Sequence, residues 1–354
     1  MKEVKTIGFT YNTKDEWVIK PHDPKDLNAE FDSLVTVNFI CEAIEARGYK
    51  VKRIGNAENL LKQADDLDVD IVFNIAEGFQ GRNRESQVPV ILEMRNIPYI
   101  GSDGLTLGVT LDKIVAKKCF IAEDIPTPKF FEAKPGDDLK KINTVGFPLI
   151  VKCRYEGTSK GLSEKSRVED YVGLKRQVEL IYNTYRQGAV VEEFIKGMEF
   201  TVAVIGNENP KAMPVVQIQI DGQTDLGNEF YTFDRVISHG VRYLCPAKIS
   251  KELSDKIQDI AVRAYQCVEC RDFGRVDFRV DEKGNPYVLE INPLPNLGPE
   301  DVFNLIPQTM GRTYEDIIHE ILNCGFSRYG FKPLANGGQM KTQLTERSES
   351  KLGV

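Results

Sequence analysis

Three side chains of a predicted β-hairpin are suited to bind a metal ion. They are Asp277, Glu290 and Asn292. The run 273–281 alternates charged with apolar residues, which is the period of a half-buried strand. The run 286–292 is predicted to return as a second strand. The residues that alternation places on one face of that return strand are Val288, Glu290 and Asn292.

The turn between the two runs decides which residues face each other. With 282–285 as a four-residue loop, Asp277 lies opposite Glu290 and Arg275 lies opposite Asn292. Facing side chains have Cβ atoms about 5 Å apart, and two like charges there destabilise a sheet. A hard cation between the carboxylates would remove that cost, and such oxygen ligands suit Mg²⁺ shared with substrate phosphates. A surface hairpin with solvated charges and a register displaced by one residue is the alternative that this stretch leaves open.

A glycine-flanked loop follows an apolar strand that ends at Lys152. The loop, residues 154–163, carries the hydroxyl groups of Thr158 and Ser159 between two glycines. Backbone N–H groups and short hydroxyl donors of this kind can bind phosphate oxygens. A lysine at the end of an apolar strand indicates a partner, because unpaired burial is costly. The spacing is not that of a P-loop, and an ordinary mobile glycine loop is the alternative.

Acidic residues are embedded in the apolar run 190–202. A carboxylate and free backbone groups at a strand end can bind a ribose hydroxyl or the edge of adenine, although a solvated hairpin turn would show the same residues. Lys113 lies on a predicted helix capped by Thr110 and would ordinarily be a surface lysine. Arg235 lies in a segment too polar to be core, where it either faces an anion or is a surface charge.

Composition limits the classes of protein that need to be considered. The chain has 354 residues, 41% hydrophobic and 28% charged, which is typical of a soluble globular protein of two or three packed units. A net charge of -7 disfavours a general nucleic-acid binder. No signal peptide and no membrane-spanning run is recognised, and the seven cysteines are scattered as in a reduced protein. We therefore expect a cytoplasmic protein with no nucleic-acid or membrane partner.

The order of predicted elements indicates the fold class. The first third alternates strands and helices and predicts a doubly wound α/β domain. The strands that follow are antiparallel in character, so the whole chain combines α/β with α+β structure.

Taken in order, these segments resemble the ATP-grasp superfamily, and specifically its D-alanine–D-alanine ligase branch. The resemblance extends from about Ile7 to Pro333. The ordered motifs that carry it are 97–102, 111–113, 151–159, 191–194, 199–202, 243–247, 274–277 and 289–292.

This resemblance implies three domains and a reaction. It implies an N-terminal substrate domain over 1–108, a central lid domain over 109–188, a C-terminal catalytic domain over 189–333 with an antiparallel sheet, and a flexible tail over 334–354. ATP would bind between the lid and the catalytic domain and phosphorylate a carboxylate. An amine would then attack the acylphosphate. The protein would supply positioning and charge neutralisation.

The resemblance also implies roles for individual residues. Asp277, Glu290 and Asn292 would hold two Mg²⁺ ions, for which Mn²⁺ is a substitute. Arg235 falls where the family carries a lysine that faces the γ-phosphate. The residues with expected roles in catalysis are Arg275, Thr158 and Arg235. The residues expected to bind ATP are Lys113, Lys152, Ser159, Glu192, Glu193, Phe194, Ile195 and Glu199.

The departures from the family concern the substrate. The loop 74–85 lacks the family's histidine and contains two arginines, which predicts an additional anionic group on the substrate. The family's ammonium-binding glutamate falls near Glu30, and its carboxylate-gripping serine has Asn304 as the nearest counterpart, beyond an altered turn at 293–299. The expected substrate-binding residues are Glu30, Arg82, Arg84, Asn296 and Asn304.

The first hypothesis is therefore an ATP-dependent carboxylate–amine ligase with small amino-acid or carboxylate substrates, for which a homodimer is a possible assembly. The alternatives are an authentic D-alanine–D-alanine ligase of peptidoglycan synthesis and a non-catalytic ATP-binding protein. An oxidoreductase built on the N-terminal unit is disfavoured, because no GxGxxG follows the first strand.

Overall fold

A computed structural model describes residues 2–237 and 240–334. A parallel sheet of four strands, in the order β2-β1-β3-β4, forms the first unit. Apolar residues cover both of its faces, since Phe9 packs in one core with α1 and Val72 packs in another with α2 and α3. This is the doubly wound arrangement that the sequence predicted. Its elements are β1 Thr6–Thr10, α1 Leu34–Glu45, β2 Lys50–Gly55, α2 Ala57–Gln63, β3 Ile71–Asn74, α3 Gln87–Met94, β4 Tyr99–Ile100 and α4 Gly104–Leu111.

An antiparallel sheet in the order β5-β8-β6-β7 forms the second unit. Its strand Ala189–Glu193 pairs with β5 and β6, so the chain changes sheet after Glu193 and not at the expected division between 188 and 189. The elements of this unit are α5 Lys113–Ala122, β5 Phe130–Ala133, α6 Leu139–Ile142, β6 Leu149–Cys153, β7 Arg167–Val168, α7 Tyr171–Tyr185 and β8 Ala189–Glu193.

The third unit is a six-stranded antiparallel sheet in the order β12-β11-β9-β13-β14, with β10 paired to β9. Its elements are β9 Gly197–Ile205, β10 Lys211–Ala212, β11 Val216–Ile220, α8 Phe233–Ile237, β12 Val241–Leu244, α9 Lys251–Cys267, β13 Phe273–Asp281, β14 Pro286–Asn292, α10 Val302–Thr309 and α11 Tyr314–Arg328. Single 3₁₀ turns occur at Lys14–Glu16, Ala64–Asp66 and Glu164–Ser166.

The start of α5 differs from the expected cap. Asp112 is the N-cap, and its side chain accepts from the backbone N–H groups of Ile114 and Val115. Thr110 belongs instead to α4, where its hydroxyl donates to the carbonyl oxygen of Thr106. Two helices therefore replace the single one predicted, and Lys113 is the first residue of the second helix.

The hairpin of β13 and β14 has the predicted register at one end only. Asp277 pairs with Glu290 and Arg275 pairs with Asn292, as predicted. A bulge follows, because Phe278 pairs with Val288 and leaves Leu289 without a partner. Val288 therefore packs in the core, and the prediction that it shares a face with Glu290 and Asn292 is wrong.

Asp272 joins the first unit to the third. Its fully buried carboxylate accepts from the backbone N–H of Gly101 at 2.8 Å and from the side chain of Asn207 at 2.9 Å. Arg328, the last residue of α11, donates to the same carboxylate at 2.6 Å. The C-terminal helix and β4 are thus held at one carboxylate.

Two further predictions concern the C-terminal tail and membrane-spanning segments. Leu334 packs against the first core, and the remainder of the predicted tail lies outside the described residues. Within 2–237 and 240–334, every helix is too short or too polar to cross a bilayer.

Candidate active site

A cavity of about 980 Å³ opens where the three units meet. The first unit contributes the segment around Glu30, and the second contributes the start of α5 and the end of β6. The third contributes β9, β13, β14 and the chain that leaves Asn292. A cavity at such a junction is the usual place for a small-molecule site.

The floor of the cavity is the predicted hairpin. Asp277 accepts hydrogen bonds from Asn292 at 2.9 Å and from the Thr201 hydroxyl at 2.6 Å. Arg275 forms two parallel hydrogen bonds of 3.0 Å with the same carboxylate. Lys113 forms an ion pair of 3.0 Å with Glu290 across the floor. The carboxylates therefore face each other as predicted, and each has a cationic partner.

The floor residues fit a hard divalent cation. Burial would raise the pKa of Glu290, but Lys113 and Lys152 lower it to about 2, so its oxygens are available as an anion at neutral pH. Asp277, Glu290 and Asn292 together offer oxygen donors only, which is the chemistry that Mg²⁺ requires. Among the described residues, no group of three His, Cys, Asp or Glu side chains could hold a metal ion, so the carboxamide is needed to complete the set.

Lys152 has the buried partner that its position predicted. Its Nζ lies 2.9 Å from Glu192, whose side chain is fully buried. Lys117, one helical turn after Lys113, approaches the other oxygen of Glu192 at 3.2 Å and donates to the Thr127 hydroxyl at 2.7 Å. Burial lowers the pKa of Lys117 to about 8, against the opposing effect of Glu192. Sequence reasoning missed Lys117, although its i+4 spacing from Lys113 on one helix was the available signal.

The residues expected around adenine and ribose all border the cavity. Glu193, Phe194, Ile195 and Glu199 all line the cavity, and Glu199 forms an ion pair of 3.4 Å with Arg279. Glu192 also borders the cavity, but both of its oxygens face lysines. Its role here is to hold Lys117 and Lys152.

The glycine-flanked loop covers one side of the cavity. Thr158 and Ser159 line it with φ angles of 47° and 56°, in the left-handed region that non-glycine residues seldom occupy. Gly161 follows with φ 75°. Three left-handed positions within four residues give the loop a turned backbone at the cavity, and turned backbones of this kind can form anion-binding concavities.

The loop is attached to the first unit through Glu30. This carboxylate accepts from the backbone N–H of Gly157 at 2.6 Å, from Arg84 at 2.6 Å and from Lys160 at 3.0 Å. Burial would raise its pKa, but Arg84 and Lys160 hold it below the ordinary value. Glu30 borders the cavity as predicted, yet protein groups occupy its oxygens.

The two loop arginines do not lie where an anionic substrate group would need them. Arg84 is buried and donates to Glu30 and to the carbonyl oxygen of Tyr155. Arg82 is largely exposed and forms an ion pair of 2.9 Å with Asp112. Neither borders the cavity. The arrangement gives no support to the predicted additional anionic group.

Two other residues expected to bind the substrate border the cavity, but each already has a hydrogen-bond partner in the protein. Asn296 and Asn304 border the cavity, but Asn296 accepts from the backbone of Gly298 at 2.6 Å and Asn304 donates to Pro299 at 2.7 Å.

Arg235 lies outside the cavity wall and contacts Glu229 and the carbonyl oxygen of Phe230. The structure therefore does not bring Arg235 to the other site residues.

Several acidic residues of the cavity wall were not singled out from the sequence. Burial raises the pKa of Asp32 to about 7 and that of Asp301 to about 6. The residues in question, which line the cavity, are Asp32, Glu77, Glu85 and Asp301. They come from separate parts of the chain, so no local pattern pointed to them.

Comparison with known proteins identifies relatives over most of the chain. The family model for the C-terminus of D-ala D-ala ligase matches residues 122–323. An uncharacterized protein of Sinorhizobium fredii is 36% identical over 73% of this chain and 75% of its own length. A D-alanine–D-alanine ligase of Janthinobacterium is 31% identical over 85% of this chain and 92% of its own length.

Solved structures share the fold. The D-alanine–D-alanine ligase of Bacillus anthracis complexed with ATP has a TM-score of 0.70 and 23% identity, and covers 92% of this chain and 99% of its own. The VanG D-Ala:D-Ser ligase of Enterococcus faecalis has a TM-score of 0.72 and 20% identity, and covers 91% of this chain and all of its own.

Proposed function

Because this chain belongs to the D-alanine–D-alanine ligase family of ATP-grasp enzymes, we propose that it joins an amino-acid carboxylate to an amine at the expense of ATP. The carboxylate is phosphorylated to an acylphosphate and the amine displaces the phosphate. The observation that supports this most directly is the convergence of Lys113, Lys152 and Arg275 with the opposed carboxylates Asp277 and Glu290 on one cavity.

In this proposal the cations of the site act on the phosphates. Lys113 and Lys152 are fixed by Glu290 and Glu192 at 3.0 and 2.9 Å, so little of their freedom remains to be lost when they bind an anion. Arg275 is held in a bidentate pair and presents a guanidinium group beside the transferred phosphoryl group. Preorganised charges of this kind stabilise the charge that develops in the transition state.

Asp277, Glu290 and Asn292 are proposed to hold two Mg²⁺ ions, with Mn²⁺ as a substitute. Bound there, the ions would neutralise the phosphate oxygens and orient the terminal phosphate. The hydroxyl group of Thr158 and the backbone of Ser159 are proposed to close over the phosphates from the loop side. Glu193, Phe194, Ile195 and Glu199 are proposed to hold adenine and ribose.

The substrate end of the cavity favours a ligase with its own specificity. Its loop 74–85 lacks the histidine that the resemblance to the family implies there, and protein groups occupy Glu30. We therefore propose a dipeptide or amino-acid amide product that need not be D-alanyl-D-alanine. We also propose that the enzyme is cytoplasmic, because it needs ATP and amino acids.

A screen of ADP release over pairs of D- and L-amino acids and small carboxylates, with mass detection of the product, tests the function. The expected result is ADP formed in a one-to-one ratio with one condensed product. A D-alanine pair as the sole productive pair would make the enzyme an authentic D-alanine–D-alanine ligase. ADP formation without any condensation, or no ADP formation at all, would contradict the proposal.

A further inference from the structure

A segment between β1 and α1 forms a strap that reaches from the first unit to the second. The strap consists of residues 14–31. Backbone hydrogen bonds of 3.0 Å close its base, since the N–H of Lys14 donates to Asp32 and that of Asp32 donates to Asn12. It begins with the turn Lys14–Glu16 and continues as irregular backbone. Its position therefore depends on side-chain contacts, which are of two kinds.

Aromatic contacts hold the strap to its own unit. Trp17 stacks on Phe79 with ring centroids 5.5 Å apart, and Phe31 meets the same ring edge to face at 5.4 Å. Phe79 belongs to the loop 78–84 of the first unit. Trp17 is the only tryptophan of the chain, so its fluorescence reports on the strap alone.

Asp26 makes the contact of the strap with the second unit. It is buried, and its carboxylate accepts from the N–H of Gly161 at 2.8 Å and from the Tyr185 hydroxyl at 2.7 Å. Gly161 is closely packed, because a Cβ there would lie 2.8 Å from Cys153 Sγ and 3.0 Å from the Tyr185 ring. Hydrogen bonds to a charged acceptor are stronger than those between neutral groups. Asp26 therefore ties the strap both to the glycine-flanked loop and to the end of α7.

Asp26 and Glu30 together hold both glycines of this loop through their N–H groups. Glu30 accepts from Gly157 at 2.6 Å, four residues before the N–H that Asp26 binds. Between these two points lie Thr158 and Ser159, which are left-handed and line the cavity. Within the described part of the chain, no acceptor is bound to the N–H groups of these two residues. The strap therefore fixes the loop at both ends and leaves its middle for phosphate oxygens.

We propose that Asp26 is a positioning residue for ATP, which holds the glycine-flanked loop so that Thr158 and Ser159 meet the phosphates. The inference rests on the proposed function and deepens it, because it adds a residue of the first unit to the support of the nucleotide site. Asp26 lies on the first unit and its partners lie on the second, so the contact also fixes the two units relative to each other at the cavity. Without that carboxylate the loop keeps the contacts of Glu30 at one end and is free to turn at the other.

The test measures the dissociation constant of a non-hydrolysable ATP analogue with a β,γ-imido bridge, in the presence of Mg²⁺. We expect Asp26→Ala to raise this constant and KM for ATP about tenfold each, with kcat within about threefold, because the variant loses binding and not chemistry. Asp26→Asn keeps an acceptor oxygen and should restore part of the affinity.

Asp70→Ala is the matched control. The Asp70 carboxylate also accepts from backbone N–H groups, those of Lys5 and Thr6 at 2.7 and 2.9 Å, but it lies outside the cavity wall. The dissociation constant of this variant should stay within about twofold of the wild-type value.

Tyr185 and Trp17 give independent readouts. Tyr185→Phe removes one of the contacts of Asp26 and should raise the dissociation constant about threefold, with no further effect in the Asp26→Ala background. Acrylamide quenching of Trp17 should increase in Asp26→Ala and not in Asp70→Ala, because only the first variant releases the strap.

Any of four results would overturn the inference: an unchanged dissociation constant in Asp26→Ala and Tyr185→Phe, an equal rise in Asp70→Ala, additive effects of the first two variants, or unchanged quenching of Trp17 in Asp26→Ala. If Asp26→Ala does not fold, Asp26→Asn and Tyr185→Phe decide. Failure of the proposed function is a separate result, in which the wild type binds the analogue but condenses no substrate pair. The binding measurements still decide on Asp26 in that case. A wild type that does not bind the analogue would overturn both.

Discussion

Glu192 shows how a single buried residue can organise a site. It lies between Lys152 and Lys117, fully buried, and burial alone would raise its pKa, but the two lysines hold that pKa below its ordinary value. The resemblance to the family implied that Glu192 lies near adenine and ribose, whereas the local sequence left a solvated hairpin turn open. Lys117, whose ion pair shows that Glu192 holds two lysines, lies on α5, far from Glu192 in the sequence.

Replacing Glu192 by Gln should leave two buried ammonium groups with no counter-charge. We expect the free energy of unfolding to fall by about 3 kcal/mol, because one partner of a buried ion pair is removed. Urea unfolding would measure this. The control is Glu132→Gln, whose carboxylate is part-exposed beside Lys134 and Arg154 and should cost at most about 1 kcal/mol. Equal losses in the two variants would contradict the buried role of Glu192.

The Glu290→Gln variant tests the floor of the cavity. It keeps the shape of the side chain but removes a proposed metal ligand and the partner of Lys113. We expect kcat for ADP formation to fall about 100-fold, with a higher Mg²⁺ concentration needed for half-maximal rate. Glu282→Gln, at the exposed turn of the same hairpin, should stay within about twofold. A similar kcat in both variants would exclude Glu290 from the chemistry.

At the scale of elements, the hairpin shows what could be predicted from the sequence and what could not. Alternation on β13 and a four-residue turn gave the register observed at the site, and the resemblance to the family favoured it over a register displaced by one residue. The bulge at Leu289 has no local signal, because alternation looks the same on either side of it. The extra residue lets Leu289 and Glu290, neighbours in sequence, both border the cavity while Val288 packs in the core.

Other elements differ from their predicted structure because their partners are distant in the sequence. Ala189–Glu193 belongs to the second sheet because β5 and β6 are its neighbours. Arg84 was predicted to face the substrate because its loop replaces the family's histidine-containing loop, but Glu30, more than fifty residues earlier, binds it. The order of the elements predicted the fold class, whereas the partners of Arg84 and Glu30 depend on pairing across units that the sequence does not show.

The left-handed loop predicts a difference between two glycines. A Cβ on Gly161 would lie 2.8 Å from Cys153 Sγ, whereas a Cβ on Gly146 would meet nothing within 4 Å, and both have positive φ. Alanine should cost about 1 kcal/mol of stability at either position. Only Gly161→Ala should also raise KM for ATP, by about tenfold, because the loop must shift away from Lys152 and the phosphates. Steady-state kinetics with varied ATP would measure it, and an unchanged KM would remove the loop from the ATP site.

At the scale of the whole molecule, the ion pair of Asp272 and Arg328 holds the third unit to the first, because Asp272 accepts from the N–H of Gly101 and Arg328 donates to the carbonyl oxygen of Tyr99. Removing Arg328 by substitution with Ala leaves a fully buried carboxylate without its cation. We expect the free energy of unfolding to fall by about 3 kcal/mol while KM for ATP stays unchanged, since the contact is remote from the cavity. Arg312→Ala, which removes a half-exposed pair with Glu320, is the matched control and should cost about 1 kcal/mol or less. A change in KM for ATP without a loss of stability would contradict this assignment.

The three contacts of Glu30 have a thermodynamic consequence. The same carboxylate holds Gly157 of the phosphate-side loop and Arg84 of the substrate-side loop, and Lys160 joins them. A ligand that displaces one of these contacts alters the free energy of the others. If occupancy at the nucleotide end displaces one of these contacts, affinity at the amino-acid end changes, and linkage requires the reverse change to be of equal size. Glu30 would then couple the two substrates energetically without binding either of them.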